Sequence, residues 1–141
     1  MSPYNGFTEA QRNDAQKWLN TQWNSGAFER PHTCCACGQT EGVLDAHAED
    51  YSKPYEQGKT DQYHLCFTCH MMVHCRHRAP IEWQSYKANV LSGIRYAPHY
   101  SRNWMRFKGE MLEGLYKPRY TQHEARITDI LSIIDTQWSD K

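Results

Sequence analysis

The sequence predicts a mostly helical α+β fold that forms a single domain of 141 residues. Thr8 and Thr121 each begin a Thr-x-x-Gln or Thr-x-x-Glu capping pattern, which predicts a helix near each end of the chain. Between them, two Cys-x-x-Cys pairs bracket 28 residues whose pattern indicates two short strands. A chain of this size buries a modest core, so a link between the two cysteine pairs would add to its stability.

The N-terminal helix is expected to cover about residues 9–25. Thr8 is its predicted N-cap, with Gln11 at the third helical position, and Gly26 follows its end. The apolar residues of this helix recur at helical spacing, and its buried face is expected to contain Trp18, Leu19 and Trp23. We interpret this helix as scaffold.

The central segment, residues 31–78, is predicted to fold as a tight cysteine-containing turn, a strand, a loop, a strand and a helix. The expected ranges are 31–38, 43–48, 49–61, 62–65 and 69–77. Pro54 and Gly58 indicate the loop, and Glu49 and Asp50 are expected to be solvated charges within it.

The remaining residues, 80–141, are expected to contain two helices. Pro80 suits the first position of a helix that continues to Leu91 and ends at Gly93. Residues 95–120 contain prolines, glycines, basic residues and aromatic residues, and we expect them to be irregular. A C-terminal helix is predicted for residues 121–138, where the apolar face consists of Ile127, Ile130, Leu131, Ile134 and Trp138.

The zero net charge of the chain is unevenly distributed. The net charge is −3 for residues 1–60, +5 for residues 61–120 and −2 for residues 121–141. A concentration of positive charge after the second cysteine pair is consistent with a polyanionic partner, although ordinary surface lysines and arginines would give the same pattern.

Four cysteines have the spacing of a structural zinc site. Each Cys-x-x-Cys pair can place two sulfurs on one ion, and two pairs complete a closed tetrahedron. This set consists of Cys34, Cys37, Cys66 and Cys69. Because two reduced cysteine pairs suit zinc better than disulfides, and no signal peptide or membrane-spanning run is present, we expect a cytoplasmic protein.

Three histidines are candidates for a second, open metal site. His70 and His74 are four residues apart and would share one face of a helix. His47 belongs to the preceding hairpin, which the cysteines would fold back toward that helix. Imidazole ligands favour a divalent transition metal over magnesium, although several metals are compatible with the set.

These residues resemble the HNH, or ββα-metal (His-Me finger), endonucleases that carry a zinc knuckle. The resemblance covers about residues 34–77 and is carried by His47 with Glu49–Pro54, by Leu65–His70, and by His74. It implies metal-assisted hydrolysis of double-stranded DNA, with one structural zinc and one catalytic Mg, Mn, Ni, Co or Zn ion. By the same resemblance His47, His70 and His74 bind the catalytic metal. Asp61 lies near the family's central Asn, which usually braces the loop.

Ala48 departs from the family pattern, which usually has a histidine there as the general base. Alanine cannot accept the proton of an attacking water. The chain could be an engineered inactive variant or a natural pseudo-nuclease, or Glu49, Asp50 or Tyr51 could serve as the base. We favour the first explanation because the other metal-site histidines are retained.

Two alternatives belong to other functional classes. His47-Ala48-Glu49 followed by Cys66-x-x-Cys69 also fits a zinc nucleobase deaminase, but that assignment leaves the other cysteine pair and two histidines without a role. The other alternative is a zinc-stabilised DNA-binding protein without catalysis.

Basic and polar residues after the second cysteine pair are the expected DNA contacts. Basic side chains bind phosphates and Asn or Arg can read base edges. These candidates are Arg76, Arg78, Arg95, Arg102, Asn103, Arg106 and Lys108. The C-terminal helix could close the core or form a homodimer, and a homodimer would match a palindromic site. The neutral net charge and the long flanks favour site-specific, restriction-type cleavage.

Overall fold

The computed structural model describes residues 1–112 and 119–120 and shows an α+β fold. Within these residues, four helices accompany two antiparallel sheets of two strands each. This confirms the predicted α+β class. The predicted C-terminal helix at 121–138 lies outside the described residues. No helix within the described ranges is both long enough and apolar enough to span a membrane.

Helix α1, Glu9–Asn24, begins with the predicted capping box. Gln11 N–H donates to Thr8 Oγ1 at 3.1 Å, and Thr8 N–H donates to Gln11 Oε1 at 2.8 Å. Leu19 is buried as predicted, but Trp18 and Trp23 are only half-buried. The fully covered face instead contains Ala15 and Arg12 beside Leu19. The two indoles therefore lie at the edge of the contact, and Arg12, Ala15 and Leu19 lie at its centre.

Strands β1, Leu44–His47, and β2, Tyr63–Cys66, form an antiparallel hairpin. Both predicted strands are confirmed, and the register pairs Leu44 with Cys66 at one end and His47 with Tyr63 at the other. Helix α2, Phe67–Cys75, follows β2 directly. It starts two residues before the prediction because the extended Cys66, at φ −66° and ψ 165°, serves as its N-cap.

Helix α3, Pro80–Leu91, has Pro80 at its start, as the sequence predicts. Gly93 follows its end with φ +88°, a left-handed conformation that glycine adopts without steric cost. The helix packs against α2 through its buried face, which consists of Trp83, Tyr86 and Val90.

The prediction that residues 95–120 are irregular is wrong. Strand β3, Ile94–Arg95, pairs with β4, Arg119–Tyr120, and helix α4, Trp104–Leu112, lies between them. The helix starts where Asn103 Oδ1 accepts the backbone N–H of Arg106 at 3.0 Å. Its Phe107 is 1% exposed, so burial of one aromatic ring outweighs the glycines that indicated a loop.

The main core surrounds the four cysteines of the two Cys-x-x-Cys pairs. Apolar side chains from the hairpin, α2, α3 and α4 meet there, among them Leu65, Val73, Val90 and Phe107. The hairpin and α2 are thus held together from behind, which leaves their other face to position the histidines.

Candidate metal centre

The four predicted cysteine ligands form one buried group. Their sulfurs lie within 4.8 Å of one another, and Cys37 Sγ is 3.7 Å from Cys66 Sγ. Sulfurs on one tetrahedral zinc, with bonds of about 2.3 Å, are about 3.8 Å apart. The group could therefore hold a metal such as zinc.

The local backbone supports this group. Gly38 N–H donates to the Cys34 carbonyl at 2.9 Å, and Gly38 has φ +79°, which closes the tight turn. Burial raises the pKa of the Cys69 thiol, so ionisation of the group requires a compensating cation. Because Cys66 and Cys69 share a centre with the other pair and not with His47, the geometry argues against the deaminase alternative.

The three predicted histidines also come together. One ring nitrogen from each of His47, His70 and His74 lies within 4.8 Å of the others. His70 Nε2 and His74 Nε2 are 3.0 Å apart. Two nitrogens bound at about 2.1 Å to one ion, at a right angle, would be separated by about 3.0 Å. The spacing therefore suits a shared cation.

His47 is 1% exposed and has one ring nitrogen without a partner. Its Nε2 lies 2.6 Å from Glu49 Oε2, and because a carboxylate only accepts, this nitrogen carries the proton. Nδ1 is buried and has no hydrogen-bond partner in the described part of the chain. Burial, followed by the nearby positive side chains, lowers the pKa of His47 well below its usual value. The ring is therefore neutral, with a lone pair on Nδ1 for a metal.

His70 is oriented by a second carboxylate. His70 Nδ1 lies 3.1 Å from Asp45 Oδ2, while Arg102 Nη2 donates to Asp45 Oδ1 at 2.7 Å. Burial opposes ionisation of Asp45, but the hydrogen bond from His70 and the charge of Arg102 prevail and lower its pKa. Asp45 thus remains ionised and directs His70 Nε2 toward His74.

A buried network lies behind His47, and the expectation that Glu49 is a solvated loop charge is wrong. Glu49 is 3% exposed, and Arg76 Nη2 donates to its Oε1 at 2.5 Å. Tyr4 Oη donates to its Oε2 and accepts from Arg76 Nη1 at 2.8 Å. Burial raises the pKa of Glu49, and Arg76 opposes that shift. Both carboxylate oxygens are therefore occupied by fixed partners.

Asp50, also expected to be a solvated loop charge, is half-exposed, and its Oδ1 accepts from the Ser52 hydroxyl at 2.6 Å. Of the two acids, only Glu49 is buried. The sequence could have indicated this in part, because Glu49 lies two residues after His47, and residues i and i+2 of an extended segment point to the same side. Tyr4, which lies 43 residues from His47 in sequence, gave no such indication.

Two other predicted site residues occupy structural positions. Asp61 is buried, and its Oδ1 accepts the Gly58 N–H at 2.7 Å, so it braces the loop before β2. Ala48 is 2% exposed and adjoins the histidine-bearing strand. It brings no titratable group to the centre.

The predicted DNA contacts separate into three groups. Arg76 was expected at the surface beside the site, and that expectation is wrong because its guanidinium is buried against Glu49. Arg95 is half-buried and donates to the Cys37 carbonyl at 3.4 Å, while Asn103 caps α4. The basic candidates with exposed side chains are Arg78, Arg102, Arg106 and Lys108.

Among these four exposed residues, Arg102 is connected to the histidine group, because it donates to Asp45, which also contacts His70. Burial raises the pKa of Cys75, and the positive charges of Arg78 and Lys108 oppose that shift. The chain matches no family model, no curated protein and no solved structure. Functional inference therefore rests on the geometry described above.

Proposed function

We propose that this chain is an HNH-type DNA endonuclease with the metal-binding residues of that family. Such an enzyme hydrolyses phosphodiester bonds when a general base is present. One observation carries the proposal. Three histidine nitrogens converge on the open side of a hairpin and helix, and a four-cysteine group holds the same elements from behind. We assign zinc to the cysteines and a divalent Mg, Mn, Ni, Co or Zn ion to the histidines.

The donor set fits such an ion. His47 has an unpartnered buried nitrogen among the described residues, and carboxylates orient both His47 and His70. Three nitrogen ligands leave open positions for a phosphate oxygen and water. When bound, the ion would polarise the phosphate and stabilise the leaving oxygen. The chain's own contribution is to hold these ligands rigid and neutral.

The structure also bears on which group could activate water. Glu49 is excluded as a free base because Tyr4, His47 and Arg76 occupy its oxygens. Burial raises the pKa of Tyr51, so its hydroxyl stays protonated and cannot take a proton from water. Of the three alternative bases, Asp50 alone keeps a half-exposed carboxylate, with its Oδ1 held by Ser52. Ala48 itself supplies no base, consistent with our preference for an inactivated nuclease.

A DNA-binding pseudo-nuclease is the second candidate. Ala48 favours it as well, because this buried residue brings no titratable group to the site. The two candidates share the metal centre and differ in what a restored base does. In an inactivated nuclease the surrounding geometry is intact, so a histidine at position 48 should restore cleavage. In a pseudo-nuclease the remaining site has no reason to support chemistry.

The partner that we propose is double-stranded DNA, cut site-specifically by a homodimer. Exposed Arg102, Arg106 and Lys108 can bind phosphates, and Arg102 lies beside the histidine group because it contacts Asp45. Two copies would place one centre on each strand. The neutral net charge disfavours a nonspecific nuclease that binds any DNA.

The test compares the chain with its Ala48→His variant on plasmid and phage DNA, with Mg, Mn, Co or Ni. We expect cleavage by the variant and little by the parent. The double variant Ala48→His/His74→Ala is the matched control and should be inactive. An Ala48→His protein that binds two metals and DNA yet cuts nothing would support the pseudo-nuclease.

A further inference from the structure

A cavity of about 910 Å³ lies between helix α1 and strand β1 and adjoins the histidine group, and most of its lining residues have no role in the proposed cleavage. Its lining includes Trp23 and Arg12 from α1, Ala48 after β1, and His70 from α2. The volume falls in the range of about 300–1,000 Å³ that is typical of ligand sites. Because His70 belongs to the lining, an occupant would extend to the histidine group.

The walls combine aromatic rings with positive charge. The Arg30 guanidinium lies 4.9 Å from the centroid of the Trp23 ring, and that of Arg12 lies 5.0 Å from the Tyr51 ring. The lining also contains Tyr100, Arg102 and Trp104. Among the described residues of the lining, Asp45 is the only acid, and Arg102 neutralises it. This composition favours an anion that carries flat apolar rings.

We propose that this cavity binds an unpaired nucleotide of a single-stranded DNA segment that continues from the phosphate at the histidine group. The assignment rests on the proposed function: a double-stranded substrate would supply this nucleotide by local unpairing beside the phosphate, and the cost of unpairing makes a duplex bind less tightly than a single strand. Arg30 and Arg12 lie over the Trp23 and Tyr51 rings, so the exposed Tyr100 supplies the free aromatic face on which a base can stack. The exposed Arg30 can bind a connecting phosphate. Paired bases cannot fill such a cavity, because in a duplex their faces are covered by neighbouring base pairs.

The experiment measures binding of a labelled oligothymidylate and of a duplex of equal length to the zinc-loaded full chain, by fluorescence anisotropy at fixed salt. We expect the single strand to bind about tenfold more tightly than the duplex. Arg30→Ala and Tyr100→Ala should each weaken single-strand binding about tenfold. Both side chains are exposed, Tyr100 by 77%, so neither change should affect folding.

Two variants outside the cavity serve as matched controls. Lys17→Ala removes an exposed cation from α1, and Met105→Ala removes an apolar side chain that is 74% exposed. Both should bind the single strand as the parent does. Zinc content and binding of the second metal should be unchanged in all four variants.

The outcomes separate this assignment from the endonuclease proposal. Loss of single-strand affinity in the two cavity variants supports the assignment even when no DNA is cut. Equal affinity for both DNA forms, or unchanged affinity in both cavity variants, overturns it, even when Ala48→His cleaves DNA. A lower unfolding temperature with unchanged affinity would indicate that the chain itself fills the cavity, and would also overturn it.

Discussion

Single atoms decide what His47 can do. Its Nε2 is committed to Glu49 at 2.6 Å, so its other nitrogen keeps a free lone pair. Glu49 is held in turn by Arg76 and Tyr4, all of them buried. An ionised pair is costly to bury, and its use here is to fix the tautomer and orientation of a metal ligand.

Replacing Glu49 by Gln should therefore weaken metal binding at the histidines more than zinc binding at the cysteines. We expect an affinity loss of about 10–100-fold for Co or Ni at the histidines, because the amide no longer acts as a charged acceptor for Nε2. Zinc at the cysteines should remain at one per chain. Isothermal titration with Co or Ni on the zinc-loaded protein measures the affinity, and metal analysis of the same protein measures the zinc.

The control for this variant is Glu41→Gln, which changes an exposed glutamate. Tyr4→Phe, which leaves the ion pair charged, should give a smaller loss of the same kind. Full Co or Ni affinity in a folded Glu49→Gln protein would show that the network serves folding alone.

At the level of elements, the hairpin, α2 and the cysteine turn behave as one unit. Each element is short, with four residues in each strand and nine in the helix, and none would be stable alone. The cysteine group links the turn before β1 to the junction of β2 and α2. Metal binding and folding of this unit are therefore coupled.

Cys69→Ser should consequently abolish most of the structure and not only one metal. Structural zinc contributes about 10–16 kcal/mol in small domains, which is comparable to the whole stability of about 5–15 kcal/mol. Circular dichroism and metal analysis of the purified variant should show loss of helix together with loss of both metals. Cys35→Ser is the matched control, because Cys35 lies between the ligands but outside the group.

Helix α4 gives a second test at this scale. Phe107→Ala should cost about 3–5 kcal/mol of unfolding free energy, because the ring is 1% exposed and its loss leaves a cavity. Met105→Ala, two residues away and 74% exposed, should change stability by about 0.5 kcal/mol or less. Denaturant titration measures both, and similar values for the two would contradict the placement of α4.

Across the whole molecule, charge is separated along the chain and partly cancelled in space. The net charge of +5 on residues 61–120 includes two arginines that pair with acids of the first 60 residues. Arg76 forms a buried ion pair with Glu49, and Arg102 forms an ion pair with Asp45. Arg102 keeps an exposed side chain beside the histidine group although it contacts Asp45, while Arg78, Arg106 and Lys108 are the other exposed cations among the predicted contacts. The binding surface is therefore smaller than the linear charge indicates, and its effect should be local and sensitive to salt.

Replacing both Arg102 and Arg106 by Ala should weaken DNA binding and reduce the slope of log affinity against log salt by about two. Each arginine that is removed leaves one phosphate unneutralised, so binding of the variant releases about one counterion fewer from the DNA. Titrations of labelled DNA at several salt concentrations measure the slope. Lys17→Ala should leave it unchanged, and an unaltered slope in the double variant would remove these arginines from the DNA surface.

The sequence by itself determined the capped N-terminal helix, the two strands, the cysteine group and the histidine group. These depend on local spacing, because a cap, a Cys-x-x-Cys turn and a helical i, i+4 pair are each set by neighbouring residues. Only the tertiary structure decided that Glu49 and Arg76 are buried with Tyr4, that Phe107 makes α4 helical, and that α1 and β1 enclose a cavity. Those features come from contacts between distant segments, whose burial outweighs the local preferences that the sequence displays.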